Sequence, residues 1–216
     1  MGNLFSYDSR FMQALIMVYD HILLNVLFLV CCVPVFTIGA AQAGLYSGLR
    51  VLHDQEDDSS CLRAFWKGVC NGFGKITAVW VGTALIMSAS ASCLMYLVTL
   101  EQVDYAPLFT CLVVLAICMV YQFALSLFHS RFGCTAAQLA KNVVYIILGH
   151  PVRCVAGAVL LWIPAAVFLC APSLFIQMTM VWTVAYYSIA FGINLRIMEK
   201  PFRVLAEGFE TKNKPI

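Results

Sequence analysis

Residues 22–36 constrain the fold more than any other stretch. Asn25 is their single polar side chain, and Leu23, Leu24, Leu27, Phe28 and Leu29 leave no face that water could wet. A helix apolar all round belongs in lipid. Pro34 then withdraws a backbone donor, and Gly39-Ala40-Ala41-Gln42-Ala43-Gly44 presents a small surface suited to close helix contact. Pro34, Gly39 and Gly44 are therefore read as a structural turn, the pivot of a membrane hairpin. The apolar piece after it, 40–52, reaches only about 20 Å at ~1.5 Å per residue, against a hydrocarbon core of about 30 Å. A short or re-entrant helix follows, tolerable where other helices cover its polar backbone ends.

Composition extends this to the whole chain. With 62% hydrophobic and 11% charged residues and a mean hydropathy of +0.87, the sequence excludes a water-soluble domain with a charged surface. A formal charge of +2, with basic residues dispersed along the chain, argues against a nucleic-acid partner. The polar N-terminal ten residues lack a basic cluster and the apolar run after them lacks a small-residue cleavage pattern, so the first helix is expected to stay attached. Ten cysteines would suggest a disulfide scaffold, yet Cys31, Cys93, Cys111, Cys118 and Cys170 sit inside apolar runs without Cys-x-x-Cys spacing. They read as small apolar fillers, with no metal or other cofactor expected.

Along the chain, residues 5–19 place Phe11, Leu15 and Val18 on one face and suggest an interfacial helix feeding the first span. The run His53-Asp54-Gln55-Glu56-Asp57-Asp58-Ser59-Ser60 reads as a solvated loop. From 60 to 75, Leu62, Phe65, Trp66, Val69 and Phe73 recur at helical steps. Arg63, Lys67 and Lys75 stand on the opposite stripe, a membrane-surface helix whose basic residues meet anionic headgroups. Residues 76–100 and 107–128 make a spanning hairpin. A second amphipathic helix opens at Thr135 with Gln138 as a capping box and stops near His150-Pro151. Residues 152–170 and 173–195 make the last hairpin, with Pro164 expected to bend its first helix.

The predicted fold is all-α: a polytopic membrane helical bundle of five full spans plus one short or re-entrant helix, arranged as hairpins each preceded by an interfacial amphipathic helix. It forms a single membrane domain over 1–216, with a broken hairpin at 1–53, units at 59–131 and 135–198, and a tail at 199–216. The order interfacial helix, span, span occurs twice and reads as an internal duplication of parallel topology. Arg50, Arg63, Lys67 and Lys75, then Arg131, Lys141 and Arg153, then Arg196, Lys200, Arg203, Lys212 and Lys214 mark the cytoplasmic side, placing the C-terminus there.

The candidate polar site is Asp20, His21 and Asn25, since an ionisable group at a membrane segment is a functional hypothesis by default. The bland alternative is a polar start to the first span. Gln122, His129, Gln177 and Asn194 read as amide and imidazole groups joining helices. No nucleophile elbow, phosphate loop or paired intramembrane acid motif occurs, and a catalytic role is not expected.

Pro34-Val35-Phe36-Thr37-Ile38-Gly39-Ala40, followed by Leu45-Tyr46 and an acidic loop, resembles the signature of the YesL-like family of bacterial membrane proteins. Asn71, Phe73, Thr77 and Trp80 resemble that family's amphipathic segment running into a membrane helix. The family's small polar stretch after the Ile-Gly pair is here Ala40-Ala41-Gln42-Ala43-Gly44. The resemblance implies a protein of the bacterial inner membrane with an accessory or regulatory role in carbohydrate uptake, and a sugar-transport permease complex as partner besides the lipid bilayer. An independent small-solute transporter is the alternative reading, favoured by the repeats and broken helices. A membrane enzyme is the third.

Overall fold

The computed structural model describes residues 10–54, 60–99, 105–133 and 135–212. The expected start of the first amphipathic segment, the acidic run at 55–59, the turn at 100–104 and the last four residues lie outside the described residues.

The first helix, α1 (Arg10–Cys31), is continuous. The sequence alone suggests an interfacial piece ending at Tyr19 and a separate span beginning at Ile22. No Gly or Pro interrupts the helix there, so the backbone ladder runs straight through. What changes at Asp20 is the packing: Phe11, Leu15, Val18 and Tyr19 are more than half exposed, whereas Leu24 and Phe28 are buried. Asp20 and His21 consequently lie in the middle of a helix and not at its start.

At the far end of α1, Pro34 adopts an extended conformation and opens a 3-10 turn, Val35–Thr37. The Thr37 hydroxyl is shared between the carbonyls of Pro34, at 2.6 Å, and Cys31. The short helix α2 (Ile38–Asp54) follows, two residues longer at each end than expected and about 25 Å long at ~1.5 Å per residue. Gly39 and Gly44 belong to this helix, not to the turn. Residues 39–46 are buried without exception, and α1, α3, α4, α5 and α10 all pack on it. The shortest of the central helices is thus the one around which the others gather, and its neighbours supply the cover that its length demands.

Helix α3 (Cys61–Cys70) lies against α2 with Phe65 and Val69 inward. Glycines allow the approach: a Cβ on Gly44 would stand 2.5 Å from Val69 Cγ2, and one on Gly68 would stand 2.9 Å from the Gly44 Cα. The amphipathic helix expected over 60–75 ends early, because Gly72 takes a left-handed conformation (φ 71) that closes α3. Phe73 and Lys75 therefore belong to α4 (Phe73–Val98). Helix α5 (Tyr105–His129) returns along α4, and His129 Nε2 donates to the Asn71 carbonyl at 2.7 Å, tying the α3–α4 corner to the end of α5.

Helix α6 (Ala136–Gly149) begins at the expected capping box, in which the Thr135 side chain accepts from the Gln138 amide and the Gln138 side chain accepts from the Thr135 amide. Leu139, Val143 and Ile146 face inward. Pro151 opens α7 (Pro151–Cys170), which continues through Pro164. The last expected span, 173–195, is not one helix. It is divided into α8 (Pro172–Gln177), α9 (Thr179–Val181), a π turn (Trp182–Tyr186) and the start of α10 (Tyr187–Lys212). Helix α10 also absorbs most of what the sequence suggests as a tail from 199, because Phe202 is held between Phe128 and Phe132.

Among the described residues the structure is helical without strands, and four helices are long and apolar enough to cross a membrane: Phe11–Cys31, Phe73–Val98, Tyr105–His129 and Pro151–Cys170. The fifth expected span is the interrupted one. Large exposed apolar residues such as Leu85, Met95, Tyr96, Phe109, Ile117 and Val159 on these helices fit a lipid surround. The chain is a helical membrane protein.

Candidate functional site

The structure gathers one group of polar residues into a seam along α1, α2 and α10. Asn25 is fully buried. Its Oδ1 accepts from the Ser188 amide at 3.0 Å and its Nδ2 donates to the Trp182 carbonyl at 3.3 Å. A π turn widens the helical ladder and disturbs its regular pairing. Asn25 thereby hydrogen-bonds, from another helix, to the first residue of that turn and to a residue just after it. One turn back on α1, His21 Nδ1 lies 2.6 Å from the Ser188 hydroxyl. His53 of α2 stands edge-on to His21, ring centroids 6.0 Å apart, and its Nδ1 donates to the Leu49 carbonyl at 2.9 Å. Sequence reasoning places His53 at the head of the solvated loop and so misses it as a neighbour of His21.

Asp20 points another way, to Cys61 at the start of α3. Burial pushes the Cys61 thiol up from its ordinary value, and the Asp20 charge and its hydrogen bond to the thiol push it further. Asp20, His21 and Asn25 thus share a helix and reach two neighbours: His21 and Asn25 meet Ser188 of α10, and Asp20 meets Cys61 of α3.

A second polar set joins α2, α4 and α5. The Ser126 hydroxyl donates to Gln42 Oε1 at 2.6 Å, and Gln122 Nε2 donates to the Thr83 hydroxyl at 3.5 Å. Asn194 Nδ2 donates to the Gly157 carbonyl at 3.3 Å, joining α10 to α7. Gln122, His129 and Asn194 thus bridge elements as expected of isolated polar groups in apolar helices. Gln177 is exposed on α8. Among the described residues, no group of three or more His, Cys, Asp or Glu is placed to hold a metal ion.

The basic residues are arranged differently from a flat stripe. Arg63 and Lys67, one turn apart on α3, face Arg50 from the end of α2 and Arg131 from the segment after α5, around a cavity of ≈ 290 Å³ that also exposes Asn71 and Ser130. Arg50 and Arg131 form the shared wall of an adjoining cavity of ≈ 340 Å³, completed by His53, Arg196 and Glu199. The Arg131 guanidinium stands 5.0 Å over the Phe202 ring, a cation–π contact that fixes its position. Lys75, the third member of the expected stripe, is exposed on α4, beyond the Gly72 corner. Sequence reasoning uses Arg50, Arg131 and Arg196 for orientation alone. Nothing in their spacing, 50, 131 and 196, announces that the fold brings them together.

Residues 21–92, a third of the chain, match the model of a family described as a protein of unknown function, DUF624. The match spans the seam residues of α1, all of α2 and α3, and most of α4. No curated protein and no solved structure matches the chain.

Proposed function

We propose that this chain is a non-catalytic component of the bacterial inner membrane, multi-pass with its C-terminus cytoplasmic, that assists or regulates carbohydrate uptake beside a sugar-transport permease. The uptake role comes from the resemblance to YesL-like proteins at 34–46 and 71–80. The observation that carries the non-transporting part is the state of the interior polar groups. Asn25, Gln42, Ser126 and Asn194 are buried and joined to neighbouring helices, which suits fixed packing better than a hydrated path for a polar solute. The two polar cavities lie together at the basic end of the bundle. That end suits a protein that binds or senses from one side.

Reconstitution tests this against the transporter reading. Purified protein in liposomes is expected to leave the flux of radiolabelled mono- and oligosaccharides at the level of protein-free vesicles. Saturable flux by this chain alone would replace the proposal with the transporter reading.

A further inference from the structure

We propose that Cys93 and Cys111 are a redox pair, which a low-molecular-weight disulfide converts into a cross-link between α4 and α5. In the sequence they lie in separate apolar runs and read as fillers. Packing of the hairpin brings them together, with the Cys111 thiol in hydrogen-bonding contact with that of Cys93. Each stands about one and a half turns from the open end of the hairpin, Cys93 before the end of α4 and Cys111 after the start of α5. Ser88-Ala89-Ser90-Ala91-Ser92 precedes Cys93, a run of small side chains that lets two helices approach closely. Cys93 is exposed on the helix surface and Cys111 is half-buried.

Position gives the pair access to a water-borne oxidant. Helices α4 and α5, of 26 and 25 residues, are about 38 Å long against a hydrocarbon core of about 30 Å. Their ends therefore project beyond the core, and the two cysteines lie close to the interface. No Lys or Arg occurs between Lys75 and Arg131, so in the orientation proposed above the α4–α5 turn faces outward, where disulfides persist. That placement rests on the proposed function; the pairing itself does not. Cys93, the more exposed thiol, loses its proton and attacks one sulfur of the oxidant, which leaves a mixed disulfide and releases one thiol. Cys111 then loses its proton and attacks the Cys93 sulfur, so that the Cys93–Cys111 bond forms, the mixed disulfide breaks and a second thiol departs. The cysteines give up two electrons and two protons, and the oxidant carries both away as two thiols.

The test treats the full chain, purified in mild detergent, with glutathione disulfide at mildly alkaline pH. Free thiols are then blocked with N-ethylmaleimide and unreduced chymotryptic peptides are read by mass spectrometry; cleavage after Tyr96, Tyr105 and Phe109 separates the two cysteines. A peptide carrying Cys93 joined to one carrying Cys111 is expected, lost on reduction. It should persist in Cys170→Ser, which removes the exposed cysteine at the end of α7. The proposal is overturned if Cys93 and Cys111 are recovered as free thiols or as glutathione adducts, or if either is joined to Cys170 instead. Orientation is read separately, with Asp104→Cys in a chain whose native cysteines are changed to Ala and an impermeant maleimide applied to intact cells. Labelling puts the turn outside and supports formation of the bond there. Absence of labelling reverses the orientation proposed for the chain, while the cross-linked peptides from purified protein still establish the pair.

Discussion

The Tyr186 hydroxyl donates a 2.5 Å hydrogen bond to the Leu160 carbonyl, the carbonyl that Pro164, four residues on, leaves without its helical partner. An interruption in α7 is thereby satisfied from the π turn that interrupts the next span. Two features that would each weaken a membrane helix alone are complementary when packed together. Tyr186→Phe should destabilise the protein by roughly 0.6–2 kcal/mol, because a carbonyl is left unpaired in the bundle. On a Pro164→Ala background, where the new alanine returns an amide to the Leu160 carbonyl, the same change should cost clearly less. Thermal melts of the four proteins in detergent measure this coupling, and strictly additive losses would show that the two breaks are independent.

Asn25 makes the stronger claim on the same turn. Replacement by Leu keeps the helix and roughly the same volume but removes the side-chain hydrogen bonds to the Ser188 amide and the Trp182 carbonyl, together on the order of 1–3 kcal/mol. Asn25→Leu should melt well below wild type, whereas Gln177→Leu, on an exposed site, should be nearly silent. Equal melting temperatures for the two variants would reduce Asn25 to an ordinary polar residue of the span.

How far the sequence carries the reader depends on whether a signal is local. The capping box at Thr135 and Gln138, the stop at His150-Pro151 and the turn after Pro34 rest on neighbouring residues, and the structure has each of them. The corner at Gly72 is hidden because the amphipathic period of 60–75 runs unbroken across it. Only the left-handed glycine, with His129 Cε1 2.9 Å from where a Cβ would stand, enforces the break. The π turn at 182–186 has no local sign either, since the side chain that hydrogen-bonds to its backbone, Asn25, lies more than 150 residues away. The basic cleft is illegible for the same reason: it exists only once α2, α3, α5 and α10 are side by side.

Glycines separate close packing from open surface. Gly44→Ala would place its new carbon 2.5 Å from Val69 Cγ2 and 3.0 Å from the Phe65 carbonyl oxygen, and that backbone cannot yield as a side-chain tip would. Overpacking of this kind costs about 1–3 kcal/mol. Gly39→Ala meets the Trp80 ring at 2.7 Å and should be comparably harmful. Gly82 in α4 has nothing within 4 Å of its would-be Cβ, so Gly82→Ala should stabilise by up to about 1 kcal/mol through helix propensity. Detergent melts that rank Gly82→Ala below Gly44→Ala would remove α2 from the centre of the fold.

Cys61 reports on the α1–α3 contact through pH. Its thiol is raised by burial and by Asp20, so at a given alkaline pH less of it is thiolate than for an ordinary cysteine. Asp20→Asn removes the negative charge, lowers the thiol value and increases the thiolate fraction. In a background cleared of the other cysteines, the alkylation-rate profile of Cys61 should shift to lower pH in Asp20→Asn. A profile that does not move would mean that Asp20 does not face the thiol.

The most direct measurement of the proposed role is quantitative mass spectrometry of what stays with the tagged protein after purification from native membranes in mild detergent. Subunits of one ATP-driven sugar permease are expected at a fixed ratio to this chain, retained when purification is repeated in a second detergent. Recovery of the chain without permease subunits, from cells grown on the carbohydrate whose uptake is under test, would contradict it.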